Sequence, residues 1–69
     1  MKQSTINRII KNHEERKNTY IGNYVYKLQW HPMVGKTFIV RCKREDENRE
    51  WLDWEGNIIN GWEWLQPLI

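Results

Sequence analysis

The first hydrophobic pattern along the chain has the period of a helix. Between residues 4 and 18, apolar side chains recur at spacings of three and four, while charged and polar residues fill the remaining positions. Ser4 stands where a helix-capping hydroxyl is expected. The pattern predicts an amphipathic helix over residues 4–18 that packs one narrow face onto something larger. The members of that face are Ile6, Ile9, Ile10 and, at its boundary, His13.

From Tyr20 onward the period changes to two, which is typical of a half-buried strand. A bulge or short turn is expected at Gly22-Asn23, and the proline and glycine of residues 31–35 predict a loop. The first strand places Tyr24, Tyr26, Leu28 and Trp30 on one face and Val25, Lys27 and Gln29 on the other. The second strand, over residues 36–44, places Phe38, Val40 and Cys42 on one face and Thr37, Ile39, Arg41 and Lys43 on the other.

The last third of the chain predicts shorter elements. Residues 50–54 form a third strand, residues 58–59 a fourth, and residues 62–65 a closing strand or helical turn that Pro67 ends. Asn60-Gly61 is a strong hairpin dipeptide because both residues tolerate positive φ. The order predicts a single α+β domain over residues 1–69. An N-terminal amphipathic helix packs on a small curled antiparallel sheet, or SH3-like partial barrel, of four to five strands over residues 20–65.

With 69 residues, the domain must bury apolar area efficiently or associate. Its single cysteine, Cys42, excludes an internal disulfide, and no paired Cys or His spacing predicts a metal site. We therefore expect aromatic rings to supply most of the core, with homo-oligomer formation as a second source of burial. No secretion signal or apolar run of about 20 residues is present, so a cytoplasmic location is expected.

Charge is segregated along the chain. Residues 1–19 carry five basic and two acidic residues (net +3), residues 20–44 five basic and none acidic (+5), and residues 45–69 one basic and seven acidic (−6). Such asymmetry indicates a polar partner surface or self-association of opposite faces. Neutralisation between neighbouring strands of one molecule is the alternative.

None of the candidate catalytic patterns in the sequence supports an enzymatic function. Gly35-Lys36-Thr37 resembles the end of a phosphate-binding loop, but position 30 is tryptophan where that motif needs glycine, and the segment enters a strand. Cys42 shares a face with apolar residues, which indicates a small buried hydrophobe. The acids of residues 45–47 lie in a solvated turn that offers no pocket to perturb a pKa. We expect neither catalytic residues nor a cofactor.

Four of the five tryptophans lie within residues 51–64. One thin interior has too few layers to hold them all. We therefore expect at least one, from Trp54 and Trp62 beside the predicted turns at Gly56-Asn57 and Asn60-Gly61, at an exposed or interfacial site. Tryptophan is over-represented among binding hot spots, and the neighbouring acids suit a basic partner surface. The predicted partner-binding residues are Trp51, Trp54, Glu55, Trp62, Glu63 and Trp64.

The profile of a very short, disulfide-free, one-domain chain without catalytic residues resembles the small accessory proteins with which phages and mobile elements disarm host enzymes. The first hypothesis is therefore a non-enzymatic inhibitor or adaptor that binds a host protein, such as a nucleic-acid-handling or defence enzyme, in the host cytoplasm. Its acidic, tryptophan-rich hairpin at residues 45–64 mimics nucleic acid where that enzyme expects phosphates.

Two alternatives rest on the basic residues. The first is a nucleic-acid binder: if the two middle strands pair so that Lys27 lies near Arg41 or Lys43, that face contacts phosphates while nearby aromatic rings stack on bases. Its basic patch comprises Lys27, Lys36, Arg41, Lys43 and Arg44, and its stacking rings Tyr24, Tyr26 or Trp30. The second is an oligomeric sponge for a small nucleotide signal, with pockets between subunits and Arg41 or Lys43 on the phosphate.

Overall fold

The chain forms one N-terminal helix packed on an open antiparallel sheet, as a computed structural model shows. The structure describes residues 1–47, 51–52, 58–59 and 62–68. The elements are helix α1 (Gln3–Glu14) and strands β1 (Thr19–Ile21), β2 (Tyr24–His31), β3 (Lys36–Lys43), β4 (Trp51–Leu52), β5 (Ile58–Ile59) and β6 (Glu63–Pro67). Four strands form a sheet in the order β1-β2-β3-β6, and β4 pairs with β5 separately. The predicted α+β class is confirmed, and the four-stranded sheet is not closed into a barrel.

Helix α1 differs from its prediction at both ends. Lys2 precedes the first turn with extended backbone, and Ser4 lies inside the helix, so the predicted serine cap is wrong. At the other end Arg16 adopts a left-handed φ of 60°. The N–H of Lys17 then bonds the carbonyl of Asn12 at 2.8 Å, and that of Arg16 bonds the carbonyl of His13 at 2.9 Å. This pair of bonds is the Schellman ending, and it stops the helix four residues before the predicted end.

The helix is fastened to the sheet by an apolar and a polar contact. Ile9 is fully buried, whereas His13 is exposed, so the apolar stripe is shorter than predicted. The side-chain amide of Asn12 donates a 2.8 Å hydrogen bond to the hydroxyl of Thr19, which is itself buried. Because a buried hydroxyl without a partner is costly, this bond also fixes where α1 meets β1.

The pairing of β2 with β3 confirms the predicted alternation. Val25 lies opposite Cys42 and Tyr26 opposite Arg41. One side of the sheet, the tyrosine face, carries Tyr24, Tyr26, Leu28 and Trp30 from β2 with Thr37, Ile39, Arg41 and Lys43 from β3. The other side, the valine face, carries Val25, Lys27, Gln29 and His31 with Lys36, Phe38, Val40 and Cys42.

Among the described residues, the fully buried side chains are those of four aliphatic residues and Thr19, and none is aromatic. Consecutive residues Ile39 and Val40 are both buried, so both faces of the sheet are covered at the middle of β3. Across from them, β6 carries Leu65 as an extra residue between the partners of Ile39 and Val40, which is a β-bulge. The expected aromatic core does not hold for the described tryptophan side chains, since Trp30 and Trp64 are exposed and Trp62 is only half-buried. The buried hydrophobic residues in the described part of the chain are Ile9, Val25, Ile39, Val40 and Cys42.

Turns and margins follow the local sequence. Gly22 and Asn23 join β1 to β2 in a two-residue turn, and Gly22 has a φ of 58°, which glycine adopts without strain. Strands β1 and β6 form the two margins of the four-stranded sheet. Pro67 is the last residue of β6, opposite Phe38, a position that proline tolerates on an outer strand.

Among the described residues, no helix has the length and apolar character needed to cross a bilayer.

Candidate binding surfaces

The loop between β2 and β3 displays large apolar side chains on a fixed backbone. The N–H of Gly35 donates to the carbonyl of His31 at 2.8 Å, and Gly35 has a left-handed φ of 73°. The N–H of Val34 donates to Nδ1 of His31 at 3.3 Å. Yet the exposed fractions are 92% for Met33, 52% for Val34 and 58% for Trp30. The loop is therefore held by its backbone while its side chains remain in solvent.

Three rings support this loop from the valine face. The ring centroid of His31 lies 4.6 Å from that of Trp64 and 5.5 Å from that of Phe38. Phe38 and Trp64 meet edge to face, with centroids 5.6 Å apart. Trp64 keeps 42% of its surface exposed. We call Trp30, Met33, Val34 and Trp64 the hairpin-end surface; Trp30 lies on the tyrosine face and Trp64 on the valine face, so this surface includes both sides of the sheet end.

Two described lysines, Lys27 and Lys36, lie on the same face of the sheet as His31 and Trp64. Lys36 is exposed at the start of β3, and the ammonium of Lys27 lies 4.3 Å from the centre of the Trp62 ring. No acid occurs in the sequence between Glu15 and Glu45, and residues 44–46 form a 3-10 turn at the far end of β3. An apolar patch with neighbouring ammonium groups suits a partner whose apolar pocket has an acidic rim.

The predicted basic patch does not form one face. Lys27 lies opposite Val40 in the β2–β3 register, so Lys27 is on the valine face with Lys36. Arg41 and Lys43 lie on the tyrosine face. The predicted proximity of Lys27 to Arg41 or Lys43 on one sheet face is therefore wrong. The fifth cation, Arg44, follows β3, and its guanidinium lies 5.0 Å from the centre of the Tyr20 ring.

Arg41 is held by its own chain. Its Nε donates to Oε2 of Glu63 at 2.9 Å, and its guanidinium lies 4.3 Å from the centre of the Tyr24 ring. The hydrogen bonds with Glu63 and then with Tyr26 raise the pKa of Arg41. This ion pair joins neighbouring strands of opposite charge, so neutralisation within the molecule accounts for part of the charge segregation.

A pocket opens at the other end of β2 and β3. It has a volume of about 490 Å³ and is lined by Asn23, Tyr24, Lys43, Arg44 and Glu45. The backbone N–H of Arg44 donates to the carbonyl of Asn23 at 2.9 Å, which joins the β1–β2 turn to the end of β3. Lys43 and Arg44, two of the five cations of the predicted basic patch, therefore line the same pocket as the ring of Tyr24.

The predicted tryptophan-rich site is only partly within the described residues. Trp54 and Glu55 lie outside them, and Trp51 is described as part of the β4 backbone. Trp62 is half-buried beside Lys27, and Glu63 is exposed and bonded to Arg41. Only Trp64 of the predicted set joins the hairpin-end surface. Met33 and Val34 were not predicted as partner contacts, although Met-Val in a turn where polar residues are usual is a visible signal. Trp30 was predicted only as a possible stacking ring for nucleic acid.

Glu47, in the predicted acidic turn, anchors that turn to β1. Its Oε1 accepts hydrogen bonds from the amide of Asn18 at 3.0 Å and from the hydroxyl of Tyr20 at 2.5 Å. The nearby Cys42 thiol is buried, as predicted. Burial raises the pKa of that thiol, and the carboxylates of Glu47 and Asp46 raise it further, so its reactive thiolate form is disfavoured.

The Tyr20–Glu47 contact predicts a pH dependence. Its hydrogen bond, with smaller effects of burial and of the Glu47 charge, raises the pKa of Tyr20 above the ordinary 10.0. Because the protonated phenol is favoured in the folded state, this contribution to stability is complete below pH 10.0 and is lost as pH rises through the higher folded value. We expect the absorbance titration at 295 nm to show a late component that Glu47→Gln shifts to lower pH.

The controls for that titration use the same turn. Tyr20→Phe should remove the late component, and Glu45→Gln should leave it in place, because Glu45 does not contribute to the Tyr20 shift. An unchanged titration curve in Glu47→Gln would show that the contact does not govern Tyr20.

Neither metal-ligand geometry nor similarity to known proteins assigns a function. Among the described residues, no group of three or more His, Cys, Asp or Glu side chains is placed to hold a metal ion. No family model matches the chain, and no curated protein or solved structure is significantly similar to it.

Proposed function

We propose that this chain is a non-enzymatic binding module that docks on a protein partner through the hairpin-end surface, as an inhibitor or adaptor of a host enzyme would. The observation that supports the proposal is the exposure of Trp30, near the end of β2, and of Met33 and Val34 in the hydrogen-bonded loop that follows β2. Exposed apolar side chains grouped in one short segment often mark interaction sites. A partner that covers these side chains removes that area from water.

The fixed loop backbone favours tight binding. Ordering a loop at an interface costs free energy, and a loop already held by hydrogen bonds has less freedom left to lose. The two bonds that His31 accepts, from Val34 and Gly35, restrain the loop from its start to its end. Trp30 and Met33 then act as rigid and adaptable contacts respectively, because the thioether chain of methionine fits irregular pockets.

This proposal moves the docking surface away from the acidic hairpin of residues 45–64. Glu63 is engaged with Arg41 in the same molecule, which leaves it less available to a basic partner. Trp64 is common to both versions because it lies beside His31. The lysines near the hairpin end favour an acidic rim on the partner, whereas the acidic hairpin favours a basic one.

A site-specific photo-crosslinking experiment tests the proposal. A photoreactive benzoylphenylalanine replaces Met33 at the hairpin tip or, as a control, exposed Lys17 beyond the end of α1, in cells that produce the chain. We expect a discrete protein adduct from position 33 only, and we expect it to disappear when Trp30→Ala is added. The physical reason is that a crosslinker reacts with whatever covers it.

Three results would count against the proposal. Adducts of equal yield from both positions indicate unspecific contact, and no adduct at position 33 removes the docking surface. An adduct of twice the mass of the chain assigns the surface to self-association instead of a distinct partner.

A further inference from the structure

The pocket at the Tyr24 end of β2 is independent of the hairpin-end surface. Tyr24 and His31 are the two ends of one eight-residue strand, which separates the two places by about 23 Å. The pocket residues come from the β1–β2 turn, the start of β2 and the end of β3 with the residues after it. None of them belongs to the docking surface proposed above.

Size and charge define what the pocket accepts. Its volume of about 490 Å³ falls within the range of small-ligand sites. Lys43 and Arg44 contribute two positive charges to its lining and Glu45 one negative charge. The net positive charge of the described lining favours an anion, and lysine and arginine are both common ligands of phosphate.

An aromatic wall is held in place beside those cations. Tyr24 lines the pocket, and the guanidinium of Arg41 lies 4.3 Å from the centre of its ring. Arg41 is in turn fixed by Glu63 at 2.9 Å, so the ring has a cation stacked on it that is itself anchored. Asn23 adds an amide that both donates and accepts hydrogen bonds at the same pocket.

We propose that this pocket binds a nucleoside monophosphate. Lys43 and Arg44 hold the phosphate, the planar base lies against Tyr24, and the Asn23 amide bonds the polar edge of the ligand. Glu45 repels additional negative charge, so a monophosphate is preferred to a triphosphate. The described lining residues all belong to one chain.

Calorimetric titration of the full chain with AMP, ATP and inorganic phosphate at low salt tests this site. We expect AMP to bind about tenfold more tightly than phosphate, because only AMP has a base for Tyr24, and more tightly than ATP. The double variant Lys43→Gln/Arg44→Gln should lose at least about tenfold in AMP affinity. Lys36→Gln, at the opposite end of β3, removes a charge of the same type and should bind AMP as the unaltered chain does.

The site is overturned by any of three results. These are absence of saturable AMP binding at millimolar concentration, equal affinity for AMP and phosphate, or unchanged AMP affinity in a double variant whose circular dichroism shows it folded. ATP binding more tightly than AMP would overturn the preference assigned to Glu45. Loss of this site leaves the crosslinking result at Met33 unaffected, because the two surfaces share no residue.

Discussion

Replacement of Ile39 by alanine is expected to lower the free energy of unfolding by about 2–5 kcal/mol. Ile39 has no exposed surface and lies in the middle of β3, which has β2 on one side and β6 on the other. The substitution removes buried methylene and methyl groups and leaves a cavity that the surrounding strands can fill only in part. Since small domains are stabilised by only about 5–15 kcal/mol, a large share of the folded protein's stability is at stake.

Urea unfolding followed by circular dichroism measures this effect. Val34→Ala is the matched control, because Val34 is an exposed aliphatic residue of the hairpin loop, and its effect should stay within about 0.5 kcal/mol. Equal destabilisation by the two substitutions would mean that Ile39 is not the centre of the core. A shift of midpoint with an unchanged slope is the expected form of the Ile39→Ala result.

Trp30→Ala is expected to weaken binding of the partner identified by crosslinking by about 30-fold or more. That loss corresponds to the roughly 2 kcal/mol that defines a hot-spot residue. Trp30 is more than half exposed in the free chain, so removing it opens little space in the core. The effect should therefore appear mainly as faster dissociation, with the unfolding free energy nearly unchanged. Surface plasmon resonance and urea unfolding give the two quantities.

Two control variants separate the ring of Trp30 from its position in the sheet. Trp30→Phe keeps an aromatic side chain in β2 and should retain a larger part of the affinity than alanine does. Tyr20→Phe alters an exposed ring on β1 and should leave partner binding unchanged. Undiminished affinity in Trp30→Ala would remove the hairpin-end surface as the docking site.

Strand periodicity was the most predictable part of the fold. The alternation of β2 and β3 depends on the two-residue repeat alone, so the separation of Val25 from Tyr26, and of Ile39 from Val40, follows from local sequence. The end of α1 was not predictable in the same way. Arg16 occupies a left-handed position usually filled by glycine, and an arginine in the sequence gives no signal that the helix ends there.

The sequence alone could not show which side chains of neighbouring strands lie on the same side of the sheet. A shift of one residue in register moves every side chain of a strand to the opposite face relative to its neighbour. The observed register pairs Lys27 with Val40 and so separates Lys27 from Arg41, which divides the predicted basic patch. The same register places Tyr24 beside Lys43 and so forms the pocket.

The number of tryptophans correctly implied that some indoles remain accessible, but it did not identify which ones. Trp30 and Trp64 are the exposed ones among those described, whereas Trp62 is half-buried near Lys27. Whether an indole ring is exposed depends on its position along its strand and on which element packs over that position. Trp30 stands at the end of β2, beyond the reach of the α1 contact through Asn12 and Thr19.

The margins of the sheet bear on behaviour at high protein concentration. An open sheet offers unpaired backbone groups at its outer strands, and long, flat ones can recruit further chains into fibres. Here one margin, β1, is three residues long, and the other, β6, is interrupted by a bulge and finishes in Pro67, which has no N–H to donate. Stepwise stacking of copies edge to edge is thereby discouraged, so the exposed indoles can be kept for recognition with little risk of amyloid growth.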